Sequence, residues 1–99
     1  MNAAVVTITD KEIECKRPTG LVEKIVWEDL QEVQLVTGDF LEPSYWLLVG
    51  TQSGCVVPFE AEGADQLLEK LQTLSGFNNH ALINAMTSTE PQKILCWKK

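Results

Sequence analysis

The chain has 99 residues, 44% of them hydrophobic and 22% charged, and carries a formal net charge of −6. That length fits one domain with one core, and the composition excludes a disordered chain. No apolar run reaches the roughly 20 residues that cross a bilayer, and Met1-Asn2-Ala3-Ala4-Val5 has neither the basic nor the long apolar region of a signal peptide, so a cytoplasmic location is expected.

The first half reads as short strands and tight turns. Val5-Val6-Thr7-Ile8-Thr9 is β-branched throughout, which favours a pleated strand over a helix. After a turn at Asp10-Lys11, Glu12-Ile13-Glu14-Cys15-Lys16 alternates strictly, with Ile13 and Cys15 on one face. Pro18-Thr19-Gly20 turns the chain again. In Leu21–Trp27, Glu23 shares a face with Ile25 and Trp27, opposite Val22 and Val26. These three runs predict a meander. A brief turn at Glu28-Asp29-Leu30 leads into a fourth strand, Glu32–Thr37, with Val33 and Leu35 inward and Gln34 outward. The longest loop of the strand region, Gly38–Ser44, comes next. Tyr45–Val49 is apolar on both faces and predicts a central strand covered on both sides. Cys55–Phe59 is the sixth strand; Pro58 has no N–H, so the strand ends there or lies at an edge.

The period then changes. Ala64, Leu67, Leu68, Leu71 and Leu74 make one helical stripe, with Gly76 as its stop. Asn78-Asn79 can cap a second helix running through Met86, with Leu82, Ile83 and Met86 at its apolar positions. A last strand, Ile94–Trp97, closes the chain. The expected fold is therefore α+β: a mainly antiparallel barrel or sheet of about six to seven strands, an amphipathic helix, and a second short helix near the C-terminus.

Catalytic and cofactor chemistry finds little support in the pattern. Cys15, Cys55 and Cys96 are odd in number, widely spaced and set in apolar segments, which suits core thiols. The one histidine, His80, has no partner at a spacing that would orient it as a base, and His80 with the three cysteines makes a zinc set only on paper. The six glycines are isolated, so no phosphate-binding loop exists. No catalytic residue, metal ligand or cofactor is expected. The carboxylates Glu28, Asp29, Glu60 and Glu62 read as solvated. Between Ile25 and Glu69 there are nine acidic residues and no basic ones, so nucleic acid and anionic membrane are poor partners.

The run Ile25-Val26-Trp27-Glu28-Asp29-Leu30-Gln31-Glu32-Val33, set among six β-runs and followed by an amphipathic helix, resembles small bacterial PH-like (PH/GRAM-like) domains, in which such a phrase carries a strand through a tight bend. The resemblance covers roughly residues 4–75 and implies one PH-like domain over 1–99, with the last strand completing it or pairing with an edge. Gly54-Cys55-Val56-Val57-Pro58, Gly63-Ala64-Asp65, Gly76-Phe77 and Cys96-Trp97 also resemble a group of small uncharacterised bacterial proteins. Phosphoinositide-binding PH domains place basic residues at the first hairpin loop. Here that loop, Thr9-Asp10-Lys11-Glu12, is close to neutral, so the lipid function is not carried over.

The expected function is a non-enzymatic protein-interaction module with a protein partner, basic in character. Asp39, Phe40, Leu41, Glu42, Tyr45 and Trp46 are the expected contact residues, with aromatic and apolar groups at the centre and carboxylates at the rim. The alternative for Phe40 and Leu41 is to plug one end of a barrel. Alternative functions are a toxin-neutralising immunity protein, whose acidic surface would speed association with a basic enzyme, and, behind it, a small hydrolase using His80. Homodimerisation through an open edge strand is a further reading.

Overall fold

A computed structural model of the protein describes residues 4–38, 44–87 and 90–99. The β-branched and alternating runs near the N-terminus form β1 (Val5–Ile8), β2 (Glu12–Lys16) and β3 (Val22–Val26), an antiparallel meander in that order. The first turn is held by Thr9, whose hydroxyl accepts the N–H groups of Lys11 at 3.2 Å and Glu12 at 3.0 Å. Two cross-strand rows, Val6–Cys15–Glu23 and Ile8–Ile13–Ile25, lie on the inner face. Glu23 is thus a charge on an otherwise apolar row.

A 3-10 turn at Trp27–Asp29 bends the chain into β4 (Leu30–Thr37). With β5 (Tyr45–Gly50), β6 (Gly54–Pro58) and β7 (Gln92–Lys98), β4 forms a four-stranded antiparallel sheet in the order β6-β5-β4-β7. Seven strands are therefore present among the described residues, but they do not close into a barrel: they stay as sheets of three and four strands. β5 is an interior strand, as expected. It buries Trp46 and Leu48 on one face and leaves Tyr45, Leu47 and Val49 half-buried on the other. β6 ends at Pro58 and lies at the sheet edge, where a missing N–H costs least. β7 takes the opposite edge, with Cys96 as a bulge residue between Leu95 opposite Gln34 and Trp97 opposite Val33.

The connection to the first helix is held against β1. Val6 N–H donates to Glu62 O and Glu62 N–H to Ala4 O, both at 2.8 Å. Gly63 follows at φ +91°, and a Cβ there would overlap the carbonyl oxygen of Val6. Only glycine combines that dihedral with that approach. Helix α1 (Ala64–Gln72) then buries Ala64, Leu67 and Leu71. Full burial of two leucines contributes about 3–6 kcal/mol. The leucine stripe outlasts the helix. Thr73 donates its hydroxyl to Lys70 O at 2.6 Å, and Leu74 N–H bonds Leu71 O, so the chain tightens into turns before Gly76.

Helix α2 (Asn79–Thr87) starts as the sequence suggests, with Asn78 Oδ1 accepting the Ala81 N–H at 3.0 Å. Its orientation differs from expectation. Leu82 and Ala85 are buried, whereas Ile83 and Met86 face outward. One core joins the inner faces of both sheets with α1, α2 and Phe77. Among the described residues, no helix is long and apolar enough to cross a membrane.

Candidate functional site

The outward turn of α2 creates a site the sequence pattern does not announce. Trp46 of β5 and Phe59, just after β6, form its floor, with ring centroids 5.5 Å apart. Trp46 is also 6.5 Å from the Phe77 ring, which fixes the indole from behind. Ala64 and Leu68 of α1 make one wall, and Leu82, Ile83 and Met86 of α2 make the other. Asp65 and Thr87 complete the lining. The result is an apolar groove of about 320 Å³ whose lining, among the described residues, includes one carboxylate. Trp46 is 2% exposed, while Ile83 and Met86 remain 59% and 61% exposed. A buried aromatic floor thus lies beside two exposed apolar side chains one helical turn apart.

The contact residues expected from sequence fall unevenly on this picture. Asp39, Phe40, Leu41 and Glu42 lie outside the described residues. Tyr45 is half-buried at the start of β5, between Val36 and Pro58. Trp46 belongs to the groove floor. Ile83 and Met86, which the sequence groups with Leu82 as the apolar positions of this helix, do not share its burial. A nine-residue helix with Leu82, Ile83, Ala85 and Met86 has more apolar surface than one contact face can bury, and this excess is the signal that would have found the groove.

Other singled-out groups are separate from it. The His80 side chain is exposed and makes no hydrogen bond or ion pair with any described residue. Glu28, Glu60 and Glu62 are exposed, in line with solvated carboxylates. Asp29 is not of that kind. It accepts the Thr51 hydroxyl, the Thr51 N–H at 3.3 Å and the Ser53 hydroxyl at 3.4 Å, which ties the bend before β4 to the β5–β6 turn. The Thr51 hydroxyl, above all, holds its carboxyl below the usual carboxylate range.

All three cysteines are buried free thiols. Cys15 and Cys55 come close to each other between the two sheets, and the Cys55 thiol donates to Glu23 O at 3.9 Å. Burial raises each thiol, and pushes Cys55 up to about 12. Among the described residues, no group of histidine, cysteine and carboxylate side chains is arranged to hold a metal ion.

One further arrangement was not foreseen. β3 and β6 are the facing edges of the two sheets, and they share no backbone hydrogen bond among the described residues. Side chains span the gap. Val56 N–H donates to Glu23 Oε1 at 3.3 Å, Arg17 Nη2 donates to Val56 O at 3.1 Å, and the two side chains pair at 3.3 Å. Arg17 and Glu23 therefore act together as a substitute strand for one residue of β6, and occupy an edge that would otherwise invite another chain. No protein-family model matches the chain, and no curated protein and no solved structure matches it.

Proposed function

We propose that this is a non-enzymatic protein-interaction module and that the groove between α1 and α2 receives apolar side chains of a protein partner. The observation that carries the reading is the exposure of Ile83 and Met86 over the Trp46–Phe59 floor. Scattered exposed apolar residues need no explanation, but a contiguous concave apolar surface does. Covering the exposed part of Ile83 and Met86 is worth about 1–2 kcal/mol each, and a buried aromatic beneath them matches the anchor pocket of an interaction hot spot. The reading keeps the PH-like expectation as part of the proposal: the meander and the bend at Trp27–Asp29 are what support it. Basic residues at the first hairpin are not needed, because the proposed contact lies elsewhere.

The test is affinity purification from the native cell with the wild-type chain and with Ile83→Ser/Met86→Ser, followed by a binding constant for the recovered partner after purification. Because both side chains are exposed, the variant should unfold within about 0.5 kcal/mol per site of the wild type. It should also lose the partner. A partner bound equally well by the folded variant rules the groove out.

A further inference from the structure

Among the described residues the groove's lining is apolar except for Asp65 and Thr87, and its charge is of one sign. Asp65, in the first turn of α1, is the charged residue of its lining, and it forms no ion pair among the described residues. The nearest cation on the same helix, Lys70, does not offset it: Lys70 lines a different cavity and holds its ammonium 5.9 Å from the centre of the Trp27 ring. Trp46, Phe59 and Asp65 themselves fall in the stretch from Ile25 to Glu69, which has no basic residue; the first basic residue after it is Lys70. A carboxylate with no counter-charge beside an uncovered apolar surface favours a ligand that brings the cation with it.

We infer that the groove takes an amphipathic helical segment of a protein partner, with large apolar side chains one turn apart and a lysine or arginine placed to pair with Asp65; this rests on the protein-binding reading above. The spacing follows from the site. Ile83 and Met86 are one turn apart on α2, so apolar groups at i and i+3 or i+4 of a facing helix meet both. A volume of about 320 Å³ is at the low end for a binding pocket of roughly 300–1,000 Å³. It admits side chains and leaves the partner backbone outside, where a flanking cation reaches Asp65. An acidic segment of the same apolar pattern is repelled at the mouth.

The probes are two synthetic helical peptides of about 15 residues. They share leucines at i, i+3, i+4 and i+7; one carries lysines on the flanks, and the other carries glutamates at the same positions. Titration is followed by the methyl resonances of Ile83 and Met86. The lysine peptide should shift both methyls and bind about three- to tenfold tighter than its twin, the factor an exposed ion pair and the matching repulsion supply together. That preference should vanish in Asp65→Asn and reverse in Asp65→Lys, each checked for an unchanged unfolding midpoint. Equal affinity for the two peptides, or a preference that survives Asp65→Asn, overturns the inference and leaves the groove as an apolar site. If neither peptide moves the groove methyls, the protein-binding reading itself falls. A dimer in sedimentation that Met86→Ser dissociates makes a second copy the occupant and also overturns the inference.

Discussion

Glu23→Ala should loosen the seam between the two sheets by an amount the geometry bounds. The substitution removes the acceptor of Val56 N–H and the counter-ion of Arg17 in one step. A hydrogen bond to a charged group contributes about 1.5–3 kcal/mol in good geometry. Here the contacts to the carboxylate are long, at 3.3 Å, and the two side chains are 28% and 27% exposed, so solvent screens them. About 1–2 kcal/mol remains, which for a domain of this size lowers the melting midpoint by about 4–16 °C. Arg17→Ala should cost less, because the Arg17 Nε is buried with no hydrogen-bond partner among the described residues and its removal recovers part of the loss. Glu23→Gln keeps an acceptor for Val56 and removes only the charge, so it should fall between the wild type and the alanine variant. A double-mutant cycle over Arg17 and Glu23 read by urea unfolding should give a coupling of about 0.5–1 kcal/mol. Amide exchange at Val56 is the decisive second readout. Unchanged protection of that amide in Glu23→Ala, together with zero coupling, refutes the idea that side chains substitute for a strand at this edge.

Asp29 should contribute to acid stability with a definite sign. Its folded value is lowered by the Thr51 hydroxyl, so its contribution is present above the ordinary carboxylate range and fades as pH falls through the lowered value. Asp29→Asn should be less stable than the wild type at neutral pH, with urea midpoints that converge as pH falls below the ordinary carboxylate range; a constant gap from neutral to acid pH contradicts the assignment. Gly63→Ala and Gly76→Ala both place alanine at positive φ, yet only the former meets backbone, at Val6. The Gly76 variant should cost about 1–2 kcal/mol and the Gly63 variant clearly more, and equal losses in a denaturation series discount the overlap. The three thiols should resist an aromatic disulfide reagent in the native state and react only at the unfolding rate, since burial raises each of them. Rapid labelling of native Cys55 would falsify its placement between the sheets.

Local pattern carried much of the fold because most elements are short and their neighbours in sequence are their neighbours in space. β1, β2 and β3 pair in chain order, so alternation groups Ile13 with Cys15 on β2 and Glu23 with Ile25 on β3, and the pairing register brings these faces together. Glu23 was legible on that same face, but its purpose was not: its acceptor role depends on Val56, 33 residues away. The Asn78 cap followed from residue chemistry. The site was harder. Helix α2 carries apolar residues on two sides, and no local rule decides whether Ala85 or Met86 faces the sheet; docking against β7 and β4 decides it. Asp29 likewise reads as one of many carboxylates until the bend before β4 brings it to the Thr51–Ser53 turn.

The placement of β7 predicts a particular order of assembly. β4 pairs with β5 from the neighbouring part of the chain, but its other edge waits for a strand whose Gln92 lies opposite Thr37, 55 residues on. Closing that longer loop costs about 1.5 kcal/mol more entropy than closing the β4–β5 hairpin. Until residues 92–98 arrive, the row of backbone donors and acceptors on β4 is open beside the apolar face of Val33 and Leu35. Late pairing of this kind slows folding and exposes a template for misassembly. A nascent or proteolysed chain lacking those residues would therefore present the interior of the larger sheet as an aggregation surface, which makes β7 the strand that renders the protein safe as well as complete.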